Sequence, residues 1–318
     1  MRAMVLAAGY GARLKPLTLE RAKPAIPLLG KPLIVTIIEK LGDLGVTGFR
    51  INLHTLPETV KEVLGAKTEY ISFSHEPQIL GTAGGLKANE SFLTDDTFIM
   101  INGDIYFEFD IRGAIDFHLR NNPLVTMVIY PQNLPYKYTP IQIDMDYRIH
   151  SLSRGGQFVQ TNAQTYVFTG IAILSRKIFD LIPPNRFSDM VTDVYEPAIA
   201  SGYRICGYPV EGYWNDLGVP SRYLSTQMEV FRKRRMNPSV FMADTTVVSE
   251  PQKIGSYVSI GARTIVEEDC DIRDSILWED CHVRRGSKIR RCILGQGVSL
   301  KGQFKNQVIT LNGEKSLD

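Results

Sequence analysis

Several features that would assign a function class outright are scarce or missing in this chain of 318 residues. No apolar run approaches the roughly 20 residues needed to cross a bilayer, so no membrane partner is expected. Met1 to Gly9 is apolar, yet it runs straight into a glycine turn without a basic leader or a small-residue cleavage site. It reads as a buried strand, and the protein is expected to be cytoplasmic. The formal net charge is only +2. That gives no broad basic field of the kind phosphate-backbone binding demands, so no nucleic acid is expected as a partner. The local run Arg232-Lys233-Arg234-Arg235 reads as a solvated helix face. Cys206, Cys270, Cys281 and Cys292 form no CxxC pair and read as small buried hydrophobes. His54, His75, His118, His150 and His282 lack metal-ligand spacing and read as structural. Low-complexity stretches are absent too, so a compact chain is expected.

What is present begins with a repeated alternation. Ala3 to Ala8 reads as a strand, and Leu33, Ile37, Ile38, Leu41 and Leu44 fall at helical spacing before Gly45. A strand over Phe49 to Leu53 follows, then a helix opening at Pro57, a strand over Tyr70 to Phe73, a helix near Gly85 to Asn89 and a strand over Thr97 to Ile101. Such alternation predicts a Rossmann-like, mixed but mainly parallel α/β sheet with helices on both faces. Ligands in these sheets bind beyond the carboxyl ends of the strands. Residues 124 to 174 are richer in strand patterns, at Leu124 to Tyr130, Pro140 to Asp144 and Thr165 to Leu174, and read as one wall of a cleft. An amphipathic helix over Tyr223 to Met236 reads as a connector.

From residue 247 the period changes. Ile254, Ile260, Val266 and Ile272, then Leu277, Val283 and Ile289, then Leu294 and Leu300 recur at a six-residue step broken twice by a step of five. Small or β-branched residues follow four positions later at Val258, Thr264, Cys270, Ile276 and Cys281. This hexapeptide repeat predicts a small C-terminal parallel β-helix of roughly three coils. It resembles the left-handed β-helices attached to many sugar nucleotidyltransferases. The expected division is residues 1–222 as a catalytic domain, 223–245 as connecting helix and linker, 246–302 as β-helix and 303–318 as a tail.

The strongest chemical signal is Leu6-Ala-Ala-Gly-Tyr-Gly-Ala-Arg-Leu-Lys-Pro-Leu-Thr18, followed by Ala22-Lys23-Pro24. Gly9 and Gly11 leave a strand end where backbone N–H groups can approach an oxyanion. A dinucleotide fingerprint would need a third glycine where Leu14 stands, and a Walker loop would need Gly-Lys before Ser or Thr, which is absent. Arg13 and Lys23 close behind the loop can hold a polyphosphate and neutralise charge on a departing pyrophosphate. At this point the chain resembles the sugar-phosphate nucleotidyltransferase family, whose signature runs as a glycine-rich loop, Arg-Leu-x-Pro-Leu-Thr and then Pro-Lys-Pro. Ala22 stands where that family usually has its first proline. Leu6, Ala7, Ala8, Gly9 and Gly11 are assigned to nucleotide binding.

Glu76-Pro-Gln-Ile-Leu-Gly-Thr-Ala-Gly-Gly85 has small residues that would let the chain pass close to a flat base. Gln78 has an amide for its edge, and a helix beginning after Gly85 with Thr82 as a cap is compatible with that role. The segment is similar to the family's Gly-Thr-Ala-Gly stretch, which implies nucleotide contacts from Gln78, Gly81 and Thr82. Asn102-Gly103-Asp104 ends an apolar strand, and Asp216 in Trp214-Asn-Asp-Leu-Gly218 precedes another glycine turn. Each aspartate alone is equally a turn residue. With the loop, the resemblance implies the family's two positions for Mg²⁺, an ion content with one or two protein carboxylates. Tyr166-Val-Phe-Thr-Gly-Ile resembles the family's sugar-side strand, implying contacts from Thr169 and Gly170, with Gly103 beside them. Arg154, in Leu152-Ser-Arg-Gly155, stands where many members carry a lysine after glutamate, and Glu196 is either a further sugar-pocket residue or a helix-end ion pair.

The resemblance implies an enzyme that joins a nucleoside triphosphate to a sugar 1-phosphate and releases pyrophosphate, with Arg13, Lys23, Asp104 and Asp216 as its catalytic set. It leans towards mannose-1-phosphate guanylyltransferases, with thymidylyl- and uridylyltransferases sharing most of the motifs, and towards a homo-oligomer. Two other classes stay open. One is an acyltransferase built on the repeats, for which His282 alone offers a base. The other is a non-catalytic regulator that binds a nucleotide sugar.

Overall fold

A computed structural model of the chain describes residues 1–65, 69–132, 138–152 and 164–317. It divides into two compact units. The first comprises Met1–Gly9, Ile37–Pro57 and Leu64–Asn215, and the second comprises Tyr10–Thr36, Glu58–Val63 and Asp216–Asp318.

The first unit is built on a seven-stranded sheet. Its order is Ile205–Pro209, Val125–Pro131, Tyr166–Ser175, Thr97–Asn102, Arg2–Leu6, Gly48–Leu53 and Ile71–His75. Tyr166–Ser175 runs against both of its neighbours, and every other pair is parallel. The sheet is therefore mixed and mainly parallel, as the strand–helix alternation predicts. The near-continuous runs of Val, Ile, Met and Phe in Arg2–Leu6, Thr97–Asn102 and Val125–Pro131 are buried on both faces, as strands covered on two sides require. Phe98 and Phe179 stack with ring centroids 5.4 Å apart inside this core.

Two local expectations change. Pro140 to Asp144 makes only single bridges, Ile141 to Tyr166 and Ile143 to Ile149, and no continuous strand. The helix expected after Gly85 instead spans Gly81–Lys87, with Leu80 before it and no side-chain cap. Glycine is a poor helix former, which is why the sequence pattern places the start too late. The helix Arg112–Asn121 ends as the chemistry of its C-terminus dictates. Asn122 is left-handed at φ 46° and its N–H donates to His118 O at 2.8 Å.

In the second unit the residues after 240 wind into parallel coils. Val248, Val266, Val283 and Leu300 stack on one face, and Ile260, Leu277, Leu294 and Ile309 on another. Ile254, Ile272, Ile289 and Phe304 stack on the third. One coil takes 17 residues where Val266 pairs with Val283. Three six-residue faces are thus shortened by one residue per turn, which explains the two five-residue steps at Ile272 to Leu277 and Ile289 to Leu294. The anchors from Ile260 to Leu300 are buried, and so are Val258, Thr264, Cys270, Ile276 and Cys281 at the inward corners. All four cysteines are free and buried, and burial pushes the Cys281 thiol up to about 12. The ladder continues past residue 302, since Gln303–Thr310 pairs with Lys288–Leu294 and then folds back as Gly313–Ser316. The helix Pro220–Lys233 belongs to this unit, burying Leu224, Val230 and Phe231 and leaving Arg232 to Arg235 in solvent.

Candidate functional site

In the first unit the candidate residues gather at the carboxyl ends of the central strands. Gly103 N–H donates to Leu6 O at 2.9 Å, which zips the Asn102-Gly103-Asp104 turn against the start of the glycine loop. Asp104 is half-buried on that turn. Ala7 N–H donates to Asn52 Oδ1 at 2.8 Å, and Asn52 Nδ2 donates to Glu76 Oε1 at 2.7 Å. Glu76 Oε2 accepts from Leu80 N–H at 3.0 Å. Asn52 and Glu76 are 3% and 2% exposed. They form a buried polar relay from the glycine loop to the segment before Gly81, and neither stands out in the sequence as a functional residue. The signal was an asparagine inside the apolar strand Gly48–Leu53 and a glutamate opening the Glu-Pro-Gln stretch.

The glycines of that stretch meet the protein's own backbone. A Cβ on Gly81, which has φ +75°, would lie 2.5 Å from Ser188 O, and one on Gly84 would lie 2.7 Å from Arg186 O. Ala83 and Gly84 N–H both donate to Ser188 O, at 2.9 and 3.1 Å. Thr82 Oγ1 donates to Asp189 Oδ2 at 3.2 Å and accepts from Met190 N–H at 2.8 Å, so its hydroxyl ties two segments together and does not cap its own helix. Gln78 is exposed.

On the strand Tyr166–Ser175, Thr169 is fully buried and donates its hydroxyl to Val128 O at 2.7 Å. Trp214 Nε1 donates to Thr169 O at 2.8 Å. Gly170 has φ +85°, and a Cβ there would sit 2.7 Å from Asn102 Nδ2, so glycine lets the strand approach the Asn102-Gly103-Asp104 turn. The Glu196 carboxylate accepts the backbone N–H of Leu152. Arg154 lies outside the described residues.

The second unit receives the chain at Tyr10 and again at Asp216. Gly11 is left-handed at φ 62°, and its carbonyl accepts from Thr18 Oγ1 at 2.9 Å, closing the Arg-Leu-Lys-Pro-Leu-Thr turn on itself. Arg13 is exposed and Lys23 half-buried. Arg13 Nη2 and Asp216 Oδ1 lie 3.1 and 3.3 Å from the position that a Cβ on Gly218 would take. A side chain there would therefore press on both groups. Asp216 Oδ1 also accepts from Arg222 Nη1, with the two side chains only 19% and 11% exposed. Arg222 is a partner of candidate residue Asp216 that the sequence reading missed, and its signal was an arginine in the first turn of the helix after Pro220.

Among the described residues no group of three or more His, Cys, Asp or Glu side chains is arranged to hold a metal ion. Also among them, no helix is long and apolar enough to cross a membrane.

A family model described as nucleotidyl transferase matches residues 2–233. The chain belongs to the nucleotidyl transferase family. A second model, the GMPPB C-terminal domain, matches residues 236–316. Among similar proteins, a mannose-1-phosphate guanyltransferase of Yarrowia lipolytica is 31% identical over 272 residues, covering 82% of this chain and 71% of that one. The Saccharomyces cerevisiae mannose-1-phosphate guanyltransferase is 28% identical over 276 residues, covering 84% and 72%. The crystal structure of HddC from Yersinia pseudotuberculosis complexed with GMP-PN superposes with a TM-score of 0.60 at 25% identity, over 72% of this chain and 99% of that one. This nucleotidyl transferase thus carries the fold and reaction class that its glycine loop implies, and Arg13, Lys23, Asp104 and Asp216 all fall within the segment the first model matches.

Proposed function

We propose that this nucleotidyl transferase condenses a nucleoside triphosphate with a sugar 1-phosphate, and that GTP and mannose 1-phosphate are its preferred pair. The observation that carries the reading is the loop that follows the central strand Arg2–Leu6. Its glycines, Arg13 and Lys23 stand in the family's order, and the relatives similar over most of the chain are named for guanyl transfer to mannose 1-phosphate.

In the reaction, an oxygen of the sugar phosphate attacks the α-phosphorus in line. The α–β bridging bond breaks and pyrophosphate leaves with that electron pair. A sugar phosphate is already an anion, so no general base is required. Positioning and charge stabilisation do the work. Arg13 and Lys23 would hold the polyphosphate and offset charge on the departing pyrophosphate.

Asp104 and Asp216 would hold a divalent cation, with Mg²⁺ the proposed ion. Their donor chemistry fits, because both offer hard carboxylate oxygens and Mg²⁺ completes its shell from phosphate and water. When bound, such an ion neutralises charge on the phosphates. Arg222 fixes the Asp216 carboxylate through its guanidinium. Asp104→Asn is expected to keep nucleotide affinity within about threefold while turnover falls on the order of a hundredfold or more. Equilibrium binding beside a pyrophosphate-release assay checks this, and near-normal turnover would remove Asp104 from the metal site.

A grid of nucleoside triphosphates against sugar 1-phosphates, read by pyrophosphate release, tests the function itself. Signal is expected to be highest with GTP and mannose 1-phosphate. Preference for dTTP or UTP would move the assignment to thymidylyl or uridylyl transfer, and no product with any pair would favour a nucleotide-sugar-binding regulator. We further propose a homo-oligomeric assembly, which sedimentation would test.

A further inference from the structure

Between Arg13 and Lys23 lie Glu20 and Arg21, two residues that the reaction leaves without a role, and both are bound by the C-terminal coils. Glu20 Oε2 accepts from Gln296 N–H at 3.1 Å. Its other oxygen accepts from Leu311 N–H at 3.1 Å and Asn312 Nδ2 at 3.4 Å. A Cβ on Gly295 would collide with this carboxylate, so the notch it occupies is cut to a glycine. Arg21 forks onto both oxygens of Glu279, at 3.3 and 2.9 Å, and reaches Gln296 Oε1 at 3.2 Å. Its guanidinium also lies 4.9 Å from the centroid of the buried Trp278 ring.

The same coils hold the chain just beyond Lys23. Trp278 Nε1 donates to Tyr223 Oη at 3.1 Å, and the Tyr223 hydroxyl donates to Pro27 O. Phe241 faces Gly30, where a Cβ would sit 2.5 Å from the ring. They also hold the helix that carries Arg222, because Gln227 accepts from Ser259 Oγ at 2.6 Å and donates to Ser275 O at 3.3 Å.

We propose that the coils and the terminal hairpin set the position of the phosphate-binding loop, with Glu20 and Arg21 as its positioning residues, a role that rests on the reading of Arg13 and Lys23 as polyphosphate ligands. The bonding pattern is what a positioning contact requires. An exposed single ion pair is cheap to lose, whereas a carboxylate held by two backbone N–H groups and an arginine held bidentately over a ring are each fixed in direction as well as distance. Five residues of loop lie between Leu14 and Glu20, so a shift of the coil is passed back to Arg13 through Glu20, and to Lys23 from Glu20 on one side and Pro27 on the other. The tail after residue 302 gains a function in this way, because its turn at Leu311 and Asn312 supplies two of the three donors to Glu20.

A displacement of about 1 Å at a phosphate ligand costs on the order of a hundredfold in rate. The test is Glu279→Ala, Arg21→Ala and their double variant in the full-length protein, read by kcat and KM on the best pair from the substrate grid and by backbone hydrogen exchange. Each single variant is expected to lower kcat about tenfold or more with little change in KM for sugar phosphate, and the double to be no worse than either. Glu279→Gln, which keeps one acceptor, should fall between wild type and Glu279→Ala. Exchange of amides 9–24 should quicken while the strand Thr97–Asn102 keeps its protection. Unchanged kcat, or additive losses accompanied by faster exchange throughout the chain, would overturn the proposal. If the wild type releases no pyrophosphate with any pair, the reading of the function fails instead, and the local exchange at 9–24 alone decides whether the coils hold the loop.

Discussion

A buried asparagine and a buried glutamate together cost desolvation on folding, and that cost is offset only while every polar atom has its partner. Asn52 meets this condition by accepting from Ala7 and donating to Glu76, and Glu76 by accepting from Asn52 and Leu80. Asn52→Leu would leave Ala7 N–H and one Glu76 oxygen buried without partners. Losing both buried bonds is expected to destabilise the protein by about 2–4 kcal/mol, measured by urea unfolding, with the loop before Gly9 loosened. His118 gives a second residue-scale expectation, this one in pH. It is 1% exposed, its Nδ1 lies 3.0 Å from Thr126 Oγ1, and burial lowers its pKa to about 4. The unfolded imidazole, near 6.5, binds a proton that the folded one refuses, so stability is present above that value and is lost as pH falls from about 6.5 towards 4. Between pH 7 and 5 the loss from this group is about 2 kcal/mol. His118→Gln should flatten that part of the melting-temperature profile, and an unchanged slope would show that other groups set it.

At the level of elements, legibility in the sequence follows from how local the cause is. The strands and the repeat are readable because burial imposes short continuous apolar runs on strands covered on both faces and a period of six on the coils, where Ile260 to Leu300 keep phase. The sequence pattern sets the helix Gly81–Lys87 too late because its glycines answer to a distant constraint, the carbonyls of Arg186 and Ser188. Propensity alone favours Gly84→Ala in a helix by about 1 kcal/mol. The new Cβ, however, would sit 2.7 Å from a backbone oxygen that has no rotamer with which to escape. The clash is expected to win, lowering stability by about 2–3 kcal/mol in thermal denaturation. An increase in melting temperature would show that the 186–188 segment yields. The candidate site divides the same way. The glycine loop, Arg13, Lys23 and the two aspartates stand in contiguous motifs, whereas Asn52 and Arg222 are defined by what they touch and carry no motif.

For the whole chain the decisive fact is that sequence order and spatial grouping disagree. The nucleotidyl transferase match ends at residue 233, yet residues 10–36 belong to the same compact unit as residues 216–318. The contacts behind that grouping span most of the chain, from Arg21 to Glu279 and from Glu20 to Leu311. Pairings of such sequence separation leave no periodic trace, which is why the tail after residue 302 could be bounded but given no role from its residues. A cut at the apparent boundary is therefore a test of the grouping. A fragment of residues 1–235 keeps all four proposed catalytic side chains but strips Glu20, Arg21 and Gly30 of their partners in the coils, and it leaves Tyr223, which holds Pro27, without Trp278 and Phe231 without Tyr257. If the coils were an appendage, this fragment would remain monodisperse and turn over like the full chain. The contact pattern predicts the opposite, a fragment that aggregates on size exclusion or loses at least tenfold in kcat/KM, because exposed aromatic surface and an unsupported phosphate loop are both consequences of the same cut.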